Sequence, residues 1–250
     1  MIALPTFRGA LAGFNPRSLS PALWLSDTGS DPSVWTDISG NGRNAVQATG
    51  ANQPSIVTNA LNGRQVRRFD GVDDLMGLTT GLGMLRNVTG ATVILAYKWI
   101  TNPIINKGVF FASVGGNSTL GRVAFGAGVL SRKLYSGGRR LDGDSFASCT
   151  SSADNPTTYF VHSGVYDYTN SDVFQYVNGV LDGQNTTFQT NGNTSDTNSA
   201  TINLGVGNPA DPTSCANIDL AEILVFPTAL SDANRQRVER YLASKYAITI

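Results

Sequence analysis

Short apolar stretches bounded by Gly, Asn, Asp or Pro recur along the whole chain, and only one segment carries helical spacing. Twelve stretches read as strands: Ala22–Ser26, Gln65–Phe69, Leu75–Leu78, Ala91–Ile100, Gly108–Val114, Arg122–Val129, Lys133–Ser136, Thr157–Tyr166, Val173–Val177, Val180–Thr187, Ala200–Gly205 and Ile218–Phe226. Strands in this number and at this spacing predict two packed sheets. Val177-Asn178-Gly179-Val180 predicts a tight hairpin, because Asn-Gly supplies the two positive-φ residues of a type I′ turn. The helical segment is Ser231 to Lys245. Ser231 is its cap, Asp232 suits its N-terminus, and Val238, Tyr241, Leu242 and Lys245 fall at i, i+3, i+4 and i+7 on one face. Arg235, Arg237 and Arg240 read as its solvated side.

Composition supports the turn-rich reading. The chain has 250 residues with 16 Asp but only 2 Glu, and the short carboxylate favours turns and caps over helix interiors. Formal net charge is zero and charged residues make up 14%, so a nucleic-acid partner held through phosphates is not expected. No run is long and apolar enough for a membrane span. No linker of domain-separating character interrupts the pattern, which predicts one domain over 19–250 preceded by an extended arm over 1–18. Pro5 and Arg8 break what would be the apolar core of a signal peptide, so secretory export is not expected. The arm carries Phe7, Arg8, Phe14 and Arg17 as docking residues, either for its own domain or for a partner subunit.

Cys149 and Cys215 lie in polar, turn-rich loops with no metal-ligand spacing, and are read as one disulfide or two reduced thiols. Trp24 and Trp35 read as core aromatics and His162 as a sheet histidine.

Leu19-Ser-Pro-Ala-Leu-Trp-Leu25, Trp35-Thr-Asp-Ile-Ser-Gly-Asn-Gly-Arg-Asn-Ala45, Phe69-Asp-Gly-Val-Asp-Asp74 and Val173-Phe-Gln-Tyr-Val-Asn-Gly-Val-Leu-Asp-Gly183 follow one another in this order. Closed by Ile218-Asp-Leu-Ala-Glu-Ile-Leu-Val-Phe226 and the terminal helix, they resemble the laminin G-like and concanavalin A-like jelly rolls of phage and environmental bacterial proteins. The resemblance implies an all-β, two-sheet antiparallel jelly-roll sandwich with one short C-terminal helix. That fold hosts lectins, adhesion modules, glycanases and virion surface proteins.

Glucanase-type relatives hydrolyse with two closely set carboxylates. Their Glu–Asp–Glu strand motif is absent here. Alternation places Asp219 on the face opposite Glu222, which reads as a structural group, so the chain is expected not to be an enzyme. Relatives that bind Ca2+ do so through rim loops, which correspond here to Asn117, Asn208 and Asp211. The acidic turn Asp70, Asp73, Asp74 is richer in carboxylates but is equally explained by turn formation. A glycan site needs rings and planar hydrogen-bonding groups, and the candidates are Tyr135, Arg139, Arg140, Tyr166, Tyr168 and Trp99.

Taken with the missing export signal and the arm, the resemblance implies a virion surface protein: a capsid decoration, head-fibre or tail adhesin subunit assembled in host cytoplasm. Its expected partners are other virion proteins, docked through the arm, a surface polysaccharide, and further copies of itself. The alternatives are a cellular carbohydrate-binding or adhesion module and a glycoside hydrolase.

Overall fold

The computed structural model describes residues 13–250 apart from 102, 104, 105 and 129–131, so Phe7 and Arg8 of the arm lie outside the described residues. The strands in chain order are β1 (Leu23–Leu25), β2 (Val34–Trp35), β3 (Ala45–Val46), β4 (Ser55–Leu61), β5 (Arg64–Asp70), β6 (Met76–Leu78), β7 (Gly90–Trp99) and β8 (Lys107–Val114). They continue with β9 (Asn117–Ala127), β10 (Lys133–Gly138), β11 (Ala147–Asp154), β12 (Phe160–Asp167), β13 (Asp172–Val177), β14 (Val180–Asn185), β15 (Ile202–Leu204) and β16 (Asn217–Phe226), and the helix α1 (Asp232–Tyr246) follows.

All pairings between these strands are antiparallel. One sheet runs β14-β13-β12-β7-β16-β5-β4, with β1 added on β16; the other runs β11-β10-β9-β8-β15-β6-β3-β2. The architecture is the jelly-roll sandwich that the sequence implies. Each of the twelve expected stretches forms a strand. Among the strands not expected, β2, β4 and β11 are edge strands, and β11 (Ala-Ser-Cys-Thr-Ser-Ser-Ala-Asp) has no apolar run because its one paired neighbour in the sheet is β10. The hairpin forms as expected, with Asn178 at φ 49° and Gly179 at φ 81° and Val177 opposite Val180.

Between the sheets lies a single cluster running in sequence from Ala22 to Val225, with Trp35, Trp99, Phe110, Phe125 and Tyr166 among its rings. A polar chain crosses it. Tyr97 Oη lies 3.1 Å from His162 Nδ1, His162 Nε2 lies 3.2 Å from Ser136 Oγ, and Ser136 Oγ donates to Gln175 Oε1 at 2.9 Å. That donation makes Ser136 the acceptor from His162 Nε2–H and leaves Nδ1 to accept from Tyr97. Burial holds the imidazole neutral, with its pKa pushed down to about 4.

The helix covers the outer face of the first sheet, hereafter the helix-side sheet. Ser231 caps it by accepting from Asn234 N, and its buried face is Arg235, Val238, Glu239, Leu242, Ala243 and Tyr246. This face is rotated from the expected one. Arg235 is not solvated: it donates to both Glu239 oxygens at 2.6 Å and lies 3.5 Å over the Tyr176 ring. A second correction concerns β16. A bulge between Leu220 and Glu222 breaks the alternation, so Asp219 faces Lys98 and Glu222 faces Ala96 on the same outer face. Asp219 is gripped there by Arg68 at 2.7 and 2.9 Å and by Tyr159 Oη at 2.9 Å.

Glu222 locks the helix to the sheet. Its carboxylate accepts from Trp24 Nε1 at 2.6 Å, Ser26 Oγ at 3.1 Å, Lys245 Nζ at 2.6 Å and Tyr246 Oη at 2.7 Å. Lys245 also reaches Asp27 Oδ1 at 2.5 Å, and Arg64 reaches Asp27 Oδ2 at 2.8 Å. Phe14 packs beside the same helix under the Arg237 guanidinium at 4.4 Å. Of the four expected arm residues, Phe14 packs on this helix and Arg17 donates to Ile38 O and to Ser39 O at 3.0 Å, so both contact their own domain.

Candidate functional site

No helix covers the outer face of the second, open sheet among the described residues. The register aligns Asn203, Phe111, Ala124, Gly137 and Ser148 in one row across five strands. Tyr135, two residues before Gly137, shares that face, while Phe110, Val123, Phe125 and Leu134 point into the core. The small residues Ala124, Gly137 and Ser148 leave a trough in the row. The loop after β10 folds over it: Arg139 Nε donates to Asp144 O at 2.9 Å and Leu141 N to Asp144 Oδ2 at 2.8 Å. That fold lays the Phe146 ring across Gly137, where a Cβ would come within 2.7 Å of Phe146 Cζ. From the far side Arg122, fully buried, pins the same loop by donating to Asp142 Oδ1 at 2.5 Å and to Thr197 Oγ1 at 2.9 Å.

A cleft of about 230 Å³ results, lined by Phe111, Tyr135, Arg139 and Phe146 together with the polar side chains of Asn106, Thr119 and Asn208. Phe146 is 39% exposed, and Tyr135 meets it edge-on with ring centres 6.2 Å apart. The Arg139 guanidinium lies 5.5 Å from the Phe146 ring centre. Burial lowers the Arg139 pKa and raises that of the Tyr135 phenol, whose hydroxyl donates to Asn106 Oδ1 at 3.3 Å. Beneath the floor, Tyr166 Oη donates to Gly137 O at 3.1 Å, tying the trough to the core. The cleft offers one open aromatic face, a guanidinium and several amide or hydroxyl groups.

Of the expected glycan residues, Tyr135 and Arg139 meet in this cleft. The others do not join them. Tyr166, Tyr168 and Trp99 are 0%, 1% and 1% exposed in the inter-sheet core, where no ring face meets solvent. Arg140 is buried and donates to Asn193 O at 2.7 Å and Thr190 Oγ1 at 2.5 Å. Phe146 escaped the sequence reading, although an isolated ring inside Gly-Asp-Ser-Phe-Ala-Ser is a signal that could have found it. The Cys149–Cys215 bridge does not form: both are buried free thiols, and burial pushes them up to about 12 and 11, so they stay protonated at neutral pH.

The cation candidates also rearrange. Asn117 Oδ1 accepts from Thr119 N at 2.9 Å, Asn208 Oδ1 from Ala210 N at 3.0 Å and Asp211 Oδ1 from Thr213 N at 2.9 Å, so each oxygen closes its own turn. Among the described residues, the carboxylates close enough to share an ion are instead Asp70, Asp73 and Asp74, with oxygens within 4.8 Å of one another. Asp70 Oδ1 accepts from Val72 N at 2.8 Å, and Asp74 Oδ2 from Asp70 N at 2.9 Å, which draws the three together at the end of β5. Burial, then the charges of Asp70 and Asp73, push Asp74 up to about 6. Three hard oxygen donors bearing unrelieved like charge can hold a divalent cation such as Ca2+, with backbone and water oxygens completing its roughly six to eight ligands.

No protein-family profile and no curated protein sequence matches the chain. Its fold does match solved structures. The botulinum neurotoxin serotype D ligand-binding domain in complex with N-acetylneuraminic acid superposes with a TM-score of 0.63 at 14% identity, covering 91% of this chain and 53% of that one. The mosaic serotype C/D receptor-binding domain gives 0.64 at 13% identity, covering 89% and 51%. The fold is a two-sheet jelly-roll sandwich. Trypanosoma rangeli sialidase in complex with sialic acid carries it too, with a TM-score of 0.61 at 12% identity, covering 89% of this chain and 33% of that one. The chain thus spans about half the length of the toxin domains and a third of the sialidase. The sialidase corrects the expectation of no enzymatic activity, because a glycoside hydrolase chain contains this jelly roll and the fold does not mark the chain as non-enzymatic. Among the described residues no helix is long and apolar enough to cross a membrane.

Proposed function

We propose that the chain is a carbohydrate-binding module whose open-sheet cleft seats a sugar ring on Phe146. One observation carries the reading: an exposed aromatic ring, held edge-on by Tyr135 and flanked by the Arg139 guanidinium, faces a hollow that also contains Asn106, Thr119 and Asn208. The apolar face of a sugar stacks on a ring of this kind, and its hydroxyls need planar donors and acceptors around the edge. The similar structures, a toxin domain in complex with N-acetylneuraminic acid and a sialidase in complex with sialic acid, support the same ligand class.

A glycan array on the chain, followed by calorimetric titration of the best hit, tests this. Phe146→Ala is expected to weaken binding at least tenfold, about 1.4 kcal/mol, and Asn208→Ala to weaken it less. A hit whose affinity is the same in Phe146→Ala would end the proposal for this cleft. A place on a virion surface draws its support from the sequence resemblance, and detection of the chain in purified particles tests it.

A further inference from the structure

A second hollow lies where the segment before β1 meets the turn at residues 37–43. Its volume is about 400 Å³, and its walls include Arg17, Ser39, Asn41, Arg43, Met84 and Pro227. The turn is built around Asp37, whose carboxylate accepts from Trp24 N at 3.0 Å, Ser39 N at 2.9 Å, Arg43 N at 2.9 Å and Ser39 Oγ at 2.8 Å. Those bonds commit the Asp37 carboxylate to the backbone of the turn. Neither Arg17 nor Arg43 has a carboxylate at ion-pair distance among the described residues, whereas Arg64, Arg68, Arg86, Arg122 and Arg235 all do.

Both guanidiniums are nevertheless held in place. Arg17 Nη1 donates to Ser39 O at 3.0 Å and its Nη2 to Ile38 O. Arg43 Nη1 donates to Ala22 O at 2.5 Å, and its stem lies so close to Gly81 that a Cβ there would come within 2.3 Å of Arg43 Cδ. Carbonyl oxygens orient a guanidinium without cancelling its charge, and each fork keeps N–H groups to spare. Two oriented cations in one hollow repel each other until an anion joins them, and the guanidinium fork matches the two oxygens of a carboxylate. Around that anion position Asn41 and Ser39 can meet hydroxyl groups, while Met84 and Pro227 provide an apolar wall.

We infer that this hollow binds an acidic sugar, with Arg17 and Arg43 clamping its carboxylate and Met84 and Pro227 against its ring. The sugar part rests on the carbohydrate reading above; the anion clamp rests on the two arginines. Calorimetric titration of the full chain with galacturonic acid and N-acetylneuraminic acid, against galactose as the neutral counterpart, tests it. An acidic sugar is expected to bind at least tenfold tighter than galactose, and the preference to shrink as salt is raised. Arg17→Gln and Arg43→Gln each weaken it at least tenfold. Because both side chains also pin backbone, Ser20→Asp provides an independent variant: it adds a carboxylate to the rim at an exposed position with φ 53°, which Asp tolerates, and removes neither arginine contact. It is expected to cut affinity tenfold without lowering Tm. Acidic sugars binding no better than galactose, or equally well to Ser20→Asp, would overturn the inference. If Phe146-dependent glycan binding persists in that case, only the inference falls; if no sugar binds at either cleft, the proposed function falls with it.

Discussion

At the scale of single residues, Asp74 is the least comfortable group in the acidic turn. A carboxylate with a raised pKa is one whose ionised form the folded state disfavours, so at neutral pH its charge opposes folding, and the penalty fades as pH falls below about 6. Asp74→Asn keeps an acceptor for Asp70 N and removes the charge, so Tm at pH 7.5 in chelator is expected to rise. In the wild type, millimolar Ca2+ is expected to raise Tm by mass action, and in Asp74→Asn to leave it unchanged. A scanning-fluorimetry comparison of the two proteins, with and without Ca2+, checks both outcomes. Phe146 shows the opposite condition. Being 39% exposed, it contributes little to the core, and Phe146→Ala is expected to shift stability by no more than about 0.5 kcal/mol while reducing glycan binding.

At the scale of elements, one acid connects three segments. Glu222 on β16 takes hydrogen bonds from Trp24 on β1 and from Lys245 and Tyr246 on α1, so the helix is held to its sheet by a buried polar node as well as by Val238 and Leu242. Glu222→Ala strands Trp24 Nε1 and leaves Lys245 with Asp27 as its one carboxylate, beside Ser26 Oγ at 2.6 Å. A loss of about 3–5 kcal/mol in urea unfolding is expected, with faster amide exchange in Asp232–Tyr246. The bridge between the sheets makes a second prediction. His162 stays neutral in the fold down to about pH 4 but takes a proton near 6.5 when unfolded, so stability is lost as pH falls from 6.5 towards 4. The span corresponds to about 3 kcal/mol. His162→Gln removes this dependence, so the stability advantage of wild type over the variant is expected to shrink across that window in pH-resolved denaturation.

At the scale of the whole molecule, the two outer faces divide the work. The helix covers the outer face of one sheet, whereas the other exposes a trough shaped by Gly137 and overhung by the 139–146 loop. The all-β sandwich, the Asn178-Gly179 hairpin and the helix capped by Ser231 were determined by the sequence alone, because alternation, positive-φ turn residues and capping act within a few residues. Edge strand β11 was not legible, since a strand paired on one side needs no apolar run. Tyr135 and Arg139 were legible as site residues through their residue types, but so were Tyr166, Tyr168 and Trp99, which the core absorbed. Residue type names chemistry and leaves the face undecided. A ring on a strand meets water or a second sheet according to what packs above it, and the bulge that brings Asp219 and Glu222 to one face reverses the local rule outright. The meeting of Asp27, Glu222 and Lys245 was decided by the tertiary structure alone, because only the closed sandwich brings positions so distant in the chain within reach of one another.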